Sequence, residues 1–386
     1  MRKSAAGPSR LALSSLAAVA LLSACLLTAC GSGSGSGSAA VPKAFYGVVQ
    51  SGSLPDAAFS SMRDAGVGSI RFQVSWPSVQ FEPNGQFNWG PIDATVSGAA
   101  RQHIDLLPLL YGTPSFEAGG CSSQSCEKRL PVHTAAQRAD WTAFVRAAAE
   151  RYGPHGEFWK FFRGKVPYDP ITHWEIWNEQ NNPNQGNPAS SYAKLLALTH
   201  SAIRSVDPSA ELVVGGMFGT PKGSTQTGVT AWSYVDQLYA DGAAPNFDAV
   251  ALHPYSPSIR GIRYQIKKVR EAMDAHRDAS APILVTELGW GSSKASHAGT
   301  GSRGAAFNVG LAQQAAKLTQ SFRLLTNNRE SWNIAGVYWY TWQDPLNPPS
   351  GLCAFCYSSG LYEADGTTPK PALHAFERFT SQTAGN

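Results

Sequence analysis

Glu179 closes the run Trp174-Glu175-Ile176-Trp177-Asn178-Glu179, and Glu287 closes Pro282-Ile283-Leu284-Val285-Thr286-Glu287. Each carboxyl stands where an apolar, strand-like run gives way to loop residues. A carboxyl at the C-terminal end of a barrel strand reads as catalytic rather than structural. Two of them on one rim are what hydrolysis of a glycosidic bond needs: one protonates the departing oxygen, the other attacks the anomeric carbon or activates water. The group that acts as acid must hold its proton near neutral pH. Burial beside Trp177 and the negative charge of Glu287 would favour that for Glu179. Asn178, next in line, can donate to a sugar hydroxyl. The attacking carboxyl must instead be ionised, and hydrogen-bond donors or a cation nearby favour that form. Arg71, inside Ser69-Ile70-Arg71-Phe72, is the candidate cation for Glu287, and His253 and Tyr255 of His253-Pro254-Tyr255 are candidate donors to it. The plainer alternatives are a rim glutamate in a salt bridge, a core ion pair for Arg71 and a structurally satisfied His253.

Aromatic residues supply the remaining candidates. Trp342 ends Val337-Tyr338-Trp339-Tyr340-Thr341-Trp342. A strand-end indole on the rim can stack on the C–H face of a sugar. Tyr338 and Tyr340 share its face of the strand by the two-residue alternation and are expected to fill the barrel. Trp76, Tyr111 and Trp290 are weaker stacking candidates, with core packing at least as good a reading.

These side chains need a scaffold that brings strand ends together. Eight strand-like runs follow residue 44: Phe45–Val49, Ser69–Val74, Ile104–Leu110, Thr172–Trp177, Glu211–Gly215, Phe247–Leu252, Ile283–Thr286 and Ala335–Thr341. Amphipathic stretches lie between and after them: Pro55–Ala65, Pro91–Gln102, Thr134–Tyr152, Ser190–Val206, Ala231–Asp241, Tyr264–Ala275, Gly304–Thr326 and Pro371–Phe379. Thr134, Ser190 and Asp207-Pro208 are plausible caps or stops. Eight successive βα units argue for one α/β domain, a closed (β/α)8 TIM barrel over residues 44–386. An open doubly wound sheet is the alternative, but no Gly-rich phosphate loop follows the first run. Long loops run from Tyr111 to His133 and from Thr341 to Thr368, and in a barrel they would wall the substrate cleft.

The constellation resembles the retaining (β/α)8 glycoside hydrolases of clan A, and within it family 39 first and family 5 next. The resemblance covers about residues 44–379. It implies an acid/base at Glu179, after Asn178 beyond the fourth strand, and a nucleophile at Glu287, ending the seventh. The two are 108 residues apart, which suits three intervening βα units. Arg71, His253, Tyr255 and Trp342 match the clan's expected supporting positions. The clan often has Pro after the acid/base, whereas Gln180-Asn181-Asn182-Pro183 follows here, a departure expected to bear on the leaving-group side of the cleft.

Composition narrows the partners. The net charge is +4, but Arg2, Lys3 and Arg10 carry three of those charges, so the body is left at +1. That is no footprint for nucleic acid. The first thirty residues read as an export signal, basic and then apolar from Leu11 to Leu27. Leu27-Thr28-Ala29-Cys30 resembles a bacterial lipobox, with Cys30 lipidated; Leu22-Ser23-Ala24-Cys25 fits the same pattern, and an ordinary secretory signal is the alternative. Residues 31–43, opening with a strict Gly-Ser repeat, read as a flexible tether. Beyond that anchor no run is expected to enter a membrane. Four cysteines remain in the body. Export favours disulfides, most simply Cys121–Cys126 and Cys353–Cys356, with a zinc site as the rival.

The expectation is therefore an exported, lipid-anchored, monomeric enzyme that acts on a carbohydrate and needs no cofactor or metal. Two other readings stand beside it. One is a surface carbohydrate-binding barrel without turnover. The other is a metal-dependent barrel hydrolase, which needs clustered ligands, and from sequence His253 stands largely alone.

Overall fold

Eight parallel strands close into a barrel in chain order: β1 (Tyr46–Gln50), β2 (Ser69–Ser75), β3 (Asp105–Tyr111), β4 (His173–Ile176), β5 (Glu211–Phe218), β6 (Ala249–His253), β7 (Ile283–Leu288) and β8 (Ile334–Trp339). The computed structural model describes residues 41–383 apart from 51, 53, 120–125, 183–184, 186, 220–228, 294–304, 348–352 and 354. The helices are α1 (Asp56–Asp64), α2 (Trp76–Val79), α3 (Gly90–Arg101), α4 (Ala135–Tyr152), α5 (Glu157–Phe161), α6 (Ala189–Arg204), α7 (Ala231–Ala240), α8 (Ile259–Ala275), α9 (Leu311–Asn327) and α10 (Pro371–Thr383). The export signal, Cys25, Cys30 and the Gly-Ser repeat lie outside the described residues. Among the described residues, no helix is long and apolar enough to cross a membrane.

Two-residue alternation sorts the strand side chains into two cores. Trp174, Ile176, Leu212, Val214, Val285 and Val337 face the helices and join the large outer core. Val49, Leu107, Val213, Ala249, Ala251, Leu284 and Tyr338 face inward and plug the barrel. Such a barrel is a packed core, not a pore. Tyr338 thus fills the interior as expected, and the polar residues that follow along the inner faces are carried above this plug.

The expected elements all form, with instructive shifts at their ends. Thr134 caps α4 through a full capping box with Gln137. Ser190 is not a cap: α6 begins at Ala189, behind Pro188. The helix expected from Tyr264 begins five residues earlier, because the Ser258 hydroxyl caps it by accepting from Gly261 N at 3.2 Å. The one expected from Gly304 begins only at Leu311, because Gly310 at φ +81° breaks the helical path. Strand β8 ends at Trp339, where Tyr340 N donates to Leu288 O at 2.8 Å and the chain leaves the sheet. Short α2 and α5 escape any periodicity argument.

Cys353 and Cys356 are joined in a disulfide, which overturns the zinc reading for that pair. Cys126 is disulfide-bonded too, while Cys121 lies outside the described residues. The loop after β8 is also secured by charge. Lys370, fully buried, donates to Asp344 Oδ2, to Ser292 Oγ at 3.1 Å and to Ser358 O at 3.2 Å.

Candidate active site

Arg71 organises the C-terminal mouth of the barrel. It sits on the inner face of β2, in register with Val49 of β1 and Leu107 of β3, and is 3 % exposed. Its Nε donates to Glu175 Oε2 at 2.5 Å and its Nη2 to Glu175 Oε1 at 3.1 Å. Its Nη1 donates to Glu287 Oε1 at 2.7 Å and Nη2 also to Asn178 Oδ1 at 2.8 Å. Burial works against the guanidinium charge, yet Glu175 and Glu287 outweigh it and hold Arg71 more firmly protonated than usual. The expected cation for Glu287 is therefore in place. Asn178 is oriented by the same fork, because its carbonyl faces Arg71 and its amide nitrogen is left to donate.

Glu287 is held from both sides. Tyr255, just beyond β6, donates its hydroxyl to Glu287 Oε2 at 2.9 Å. Burial first, then the Glu287 charge, pushes the Tyr255 hydroxyl far above its ordinary range, so it stays a donor. Strict alternation would send Thr286 and Glu287 to opposite faces. The pairing of β7 with β8 slips between Val285 and Leu288, and this irregularity lets both side chains reach the site.

Glu179 arrives by a strained path. Trp177 and Glu179 adopt left-handed backbone, φ +69° and +48°, which costs about 1–3 kcal/mol each for non-glycine residues. Three tethers offset that cost. Glu179 N donates to Gly216 O at 2.9 Å, Gln185 Nε2 to Asn178 O at 2.9 Å, and the buried Trp177 indole to Gln185 Oε1 at 3.2 Å. Strand β5 must be bare here: a Cβ on Gly215 would collide with the Trp177 carbonyl, and one on Gly216 with His253 Nε2 and Thr286 Oγ1. Glu179 is 20 % exposed, and among the described residues its Oε2 accepts only a 3.3 Å contact from Asn182 Nδ2. Tyr111 stands close by with its ring 4.8 Å from that of Trp177; burial, with Glu127 and Glu179, pushes its hydroxyl up.

Three expectations need correction. His253, expected to donate to Glu287, is 3.6 Å from Glu287 Oε2, but its Nδ1 is 3.2 Å from Glu179 Oε1. Trp342 is 2 % exposed and packs against Tyr362 with ring centroids 5.0 Å apart, so its face is not a sugar platform. Tyr340, just after β8, is half-buried and within electrostatic reach of Glu287, Arg71 and Glu179, so it stands at the site rather than simply filling the barrel. Gln180 is fully buried and ties the loop to β5 through Gly215 O at 2.9 Å. Trp76 and Trp290 are fully buried core residues.

Sequence reasoning missed Glu175 and Thr286. Glu175 is completely buried, and Gly216 N donates to its Oε1 at 2.8 Å. Thr286 Oγ1 joins Glu175 Oε1 at 3.2 Å to His253 Nε2 at 3.1 Å.

His253 therefore does not stand alone. One donor atom each from Glu179, His253 and Glu287 lies within 4.8 Å of the others, close enough to converge on a cation. The fit is poor. The Arg71 guanidinium already donates to one Glu287 oxygen, and the Tyr255 hydroxyl to the other.

A (β/α)8 barrel with two facing carboxyls at its C-terminal mouth is the class that this fold and site define. No sequence-family model and no curated protein matches the chain. Solved structures share the fold. A family 39 glycoside hydrolase from the gut symbiont Bacteroides cellulosilyticus WH2 superposes with a TM-score of 0.62 at 20 % identity, over 89 % of this chain and 64 % of that one. A monomeric beta-xylosidase from Caulobacter crescentus CB15 gives 0.61 at 17 % identity, over 88 % and 68 %. A thermostable mutant of a xylanase from Cellvibrio japonicus gives 0.58 at 18 % identity, over 88 % and 97 %. This chain thus spans just under two thirds of the family 39 enzyme. At these identities the likeness is one of fold, and the resemblance to family 39 read from the motifs agrees with it.

Proposed function

We propose that this protein is a retaining glycoside hydrolase that cleaves O-glycosidic bonds of a β-linked oligo- or polysaccharide. The observation that carries the reading is the approach of Glu179 and Glu287, with one oxygen of each within 4.8 Å of the other, while Arg71 and Tyr255 grip the second carboxylate. Retaining enzymes hold the two carboxyls about 5–5.5 Å apart, and inverting ones about 6.5–9.5 Å apart to admit a water. In the first step a Glu287 oxygen bonds to the anomeric carbon as the glycosidic C–O bond breaks, and the Glu179 proton passes to the leaving oxygen. In the second, Glu179 takes a proton from water, whose oxygen bonds to the same carbon and releases Glu287. Arg71 and Tyr255 neutralise the carboxylate that departs, and the Asn178 amide is placed to donate to the sugar.

The export signal and lipobox support placing the enzyme at the cell surface, anchored through Cys30, and a monomer suffices because the described site is built from one chain. The test is hydrolysis of a panel of aryl β-glycosides and bacterial and plant polysaccharides by wild type, Glu179→Ala and Glu287→Ala. Turnover lost in Glu287→Ala and cut by about 10²–10⁴-fold in Glu179→Ala, with the first-formed product in the substrate's anomeric configuration by NMR, is expected. An inverted first product sinks the retaining assignment. Glycan binding with no turnover on the whole panel favours a silent carbohydrate-binding barrel.

A further inference from the structure

We infer that Glu175 is a positioning residue that, through Thr286, fixes which nitrogen of His253 carries hydrogen and so assigns the catalytic proton to Glu179. The inference rests on the proposed hydrolase and concerns how its two similar carboxyls acquire different roles. Hydrogen-bond direction carries it. Arg71 aims two N–H groups at Glu175, one at each oxygen, and Gly216 N adds a third. A carboxylate so surrounded only accepts. The Thr286 hydroxyl, 3.2 Å from Glu175 Oε1, must then donate its single hydrogen to Glu175. That leaves Thr286 Oγ1 as the acceptor for His253, so the ring hydrogen sits on Nε2, 3.1 Å away.

The other ring nitrogen follows. With hydrogen on Nε2, the neutral ring presents a bare lone pair at Nδ1, 3.2 Å from Glu179 Oε1. A lone pair does not face a carboxylate oxygen at that distance without a proton between them. One proton therefore resides in the Glu179–His253 pair, and it is the one delivered to the leaving oxygen. Glu287 has no such need, because Tyr255 and Arg71 already donate to both its oxygens. The charged and titratable groups around the pair are Glu287 from β7, Arg71 from β2, Tyr111 at the end of β3, Tyr255 after β6 and Tyr340 after β8. None of the three tyrosine hydroxyls has an oxygen-bound route to Nε2 in place of Thr286 among the described hydrogen bonds.

Glu175→Leu removes the acceptor of the Thr286 hydrogen; Glu175→Gln would not, since Gly216 N, Arg71 Nη2 and Thr286 all donate at the Oε1 position and hold an amide oxygen there. The Thr286 hydroxyl is then free to turn its hydrogen toward Nε2, and the ring hydrogen moves to Nδ1, where it stabilises ionised Glu179. A histidine held in the wrong tautomer by an Asp-to-Asn change is the known cost in serine proteases.

The experiment uses the full chain with ¹⁵N-labelled histidine, as wild type, Glu175→Leu, Thr286→Val and Thr286→Ser. Imidazole ¹⁵N shifts should show Nε2 protonated in wild type and Thr286→Ser and bare in Glu175→Leu. A bare Nε2 in wild type overturns the relay, and it does so whether or not the chain hydrolyses any glycoside. Kinetics supply the second readout. On phenyl β-glycosides, which need acid assistance, kcat/KM of Glu175→Leu and Thr286→Val should fall by about 10²-fold, within the range of general acid catalysis. On 2,4-dinitrophenyl β-glycosides, which do not, the loss should be small. The alkaline limb of the pH profile should move to lower pH, and Thr286→Ser should restore both. Equal losses on both leaving groups with an unmoved pH profile would reduce Glu175 to a purely structural role. A wild type inactive on every glycoside, with Nε2 protonated, would fell the hydrolase reading and leave the relay standing.

Discussion

Lys370 and Arg71 are buried cations that both hold loops of this barrel, and they do so to different ends. Lys370 has three hydrogens and meets three acceptors, in Asp344, Ser292 and Ser358. The other Asp344 oxygen accepts from Gly360 N at 2.7 Å. Every polar atom of that network has a fixed partner. Arg71 is as deeply buried, at 3 % exposure, and also divides its hydrogens among protein acceptors. Its network, however, opens onto Glu179, which is 20 % exposed with one weak amide contact on Oε2. A saturated network locks a loop. One left incomplete on a single oxygen keeps a place for a substrate atom.

The comparison breaks first at Glu287. Glu287→Ala should reduce turnover to the detection floor while the thermal unfolding midpoint stays near that of wild type, because Arg71 retains its bidentate pair with Glu175. Residual turnover above about a hundredth of wild type would show that another group forms the covalent bond. Glu179→Ala should cost about 10²–10⁴-fold, the usual contribution of general acid–base catalysis.

Lys370→Met should do the converse. It leaves Asp344 buried without its cation, a change that costs about 3–5 kcal/mol. Urea unfolding should register the loss, and the active-site titre of the folded fraction should show unchanged kcat. Burial pushes the Asp344 carboxyl up even beside Lys370, which marks this pair's charges as costly to hold. Adding Asp344→Asn to Lys370→Met keeps the acceptor for Gly360 N, removes the orphaned charge and should recover most of the stability. A double variant no better than the single one would mean that the lysine acts by packing alone.

A smaller effect belongs to Tyr255→Phe. Among the described residues it deletes the 2.9 Å donor to Glu287 and no other hydrogen bond. Hydrogen bonds to charged groups contribute about 1.5–3 kcal/mol. A fall in kcat/KM of roughly tenfold to a hundredfold is expected, with stability little changed; a fall below threefold would remove Tyr255 from the machinery.

What was legible in the sequence follows from the range of each interaction. Glu179, Glu287 and Arg71 announce themselves by residue type at or on apolar runs, and alternation then places Arg71 inward. The same alternation could have found Glu175, since Trp174 and Ile176 on either side face the helices; a charge between two outward apolar residues must point into the barrel. Thr286 was hidden, because its side chain joins Glu287 at one site only through the slip in the β7–β8 pairing. Trp342 was misplaced for the opposite reason. Alternation was extended past Trp339, where the strand has ended and Trp342 N instead donates to Val49 O at 3.0 Å. Lys370 and Asp344 meet through a loop geometry that no local pattern encodes.

The smallest effect lies at the opposite end of the barrel, where like charges meet without a buried cation between them. Asp105 opens β3, and Asp169 precedes β4 beside the same pocket. Burial raises both carboxyls; the Asp105 charge raises Asp169 further, while His103 and Lys43 only partly offset it, as Lys43 and His173 do at Asp105. A carboxyl whose folded value lies above its unfolded one favours the fold in acid, and that contribution is lost as pH rises through the folded value. At neutral pH both groups are thus a burden on the fold. Asp169→Asn removes one charge at a half-exposed site, so screening keeps the gain near the scale of surface substitutions, about 0.5 kcal/mol. The unfolding midpoint should rise by roughly 1 °C at pH 7, and the difference should vanish near pH 3, where both chains carry neutral groups there. A gain that is the same at both pH values would assign the effect to packing, and a loss at pH 7 would mean that Lys43 and His103 stabilise the aspartate more than burial and Asp105 oppose it.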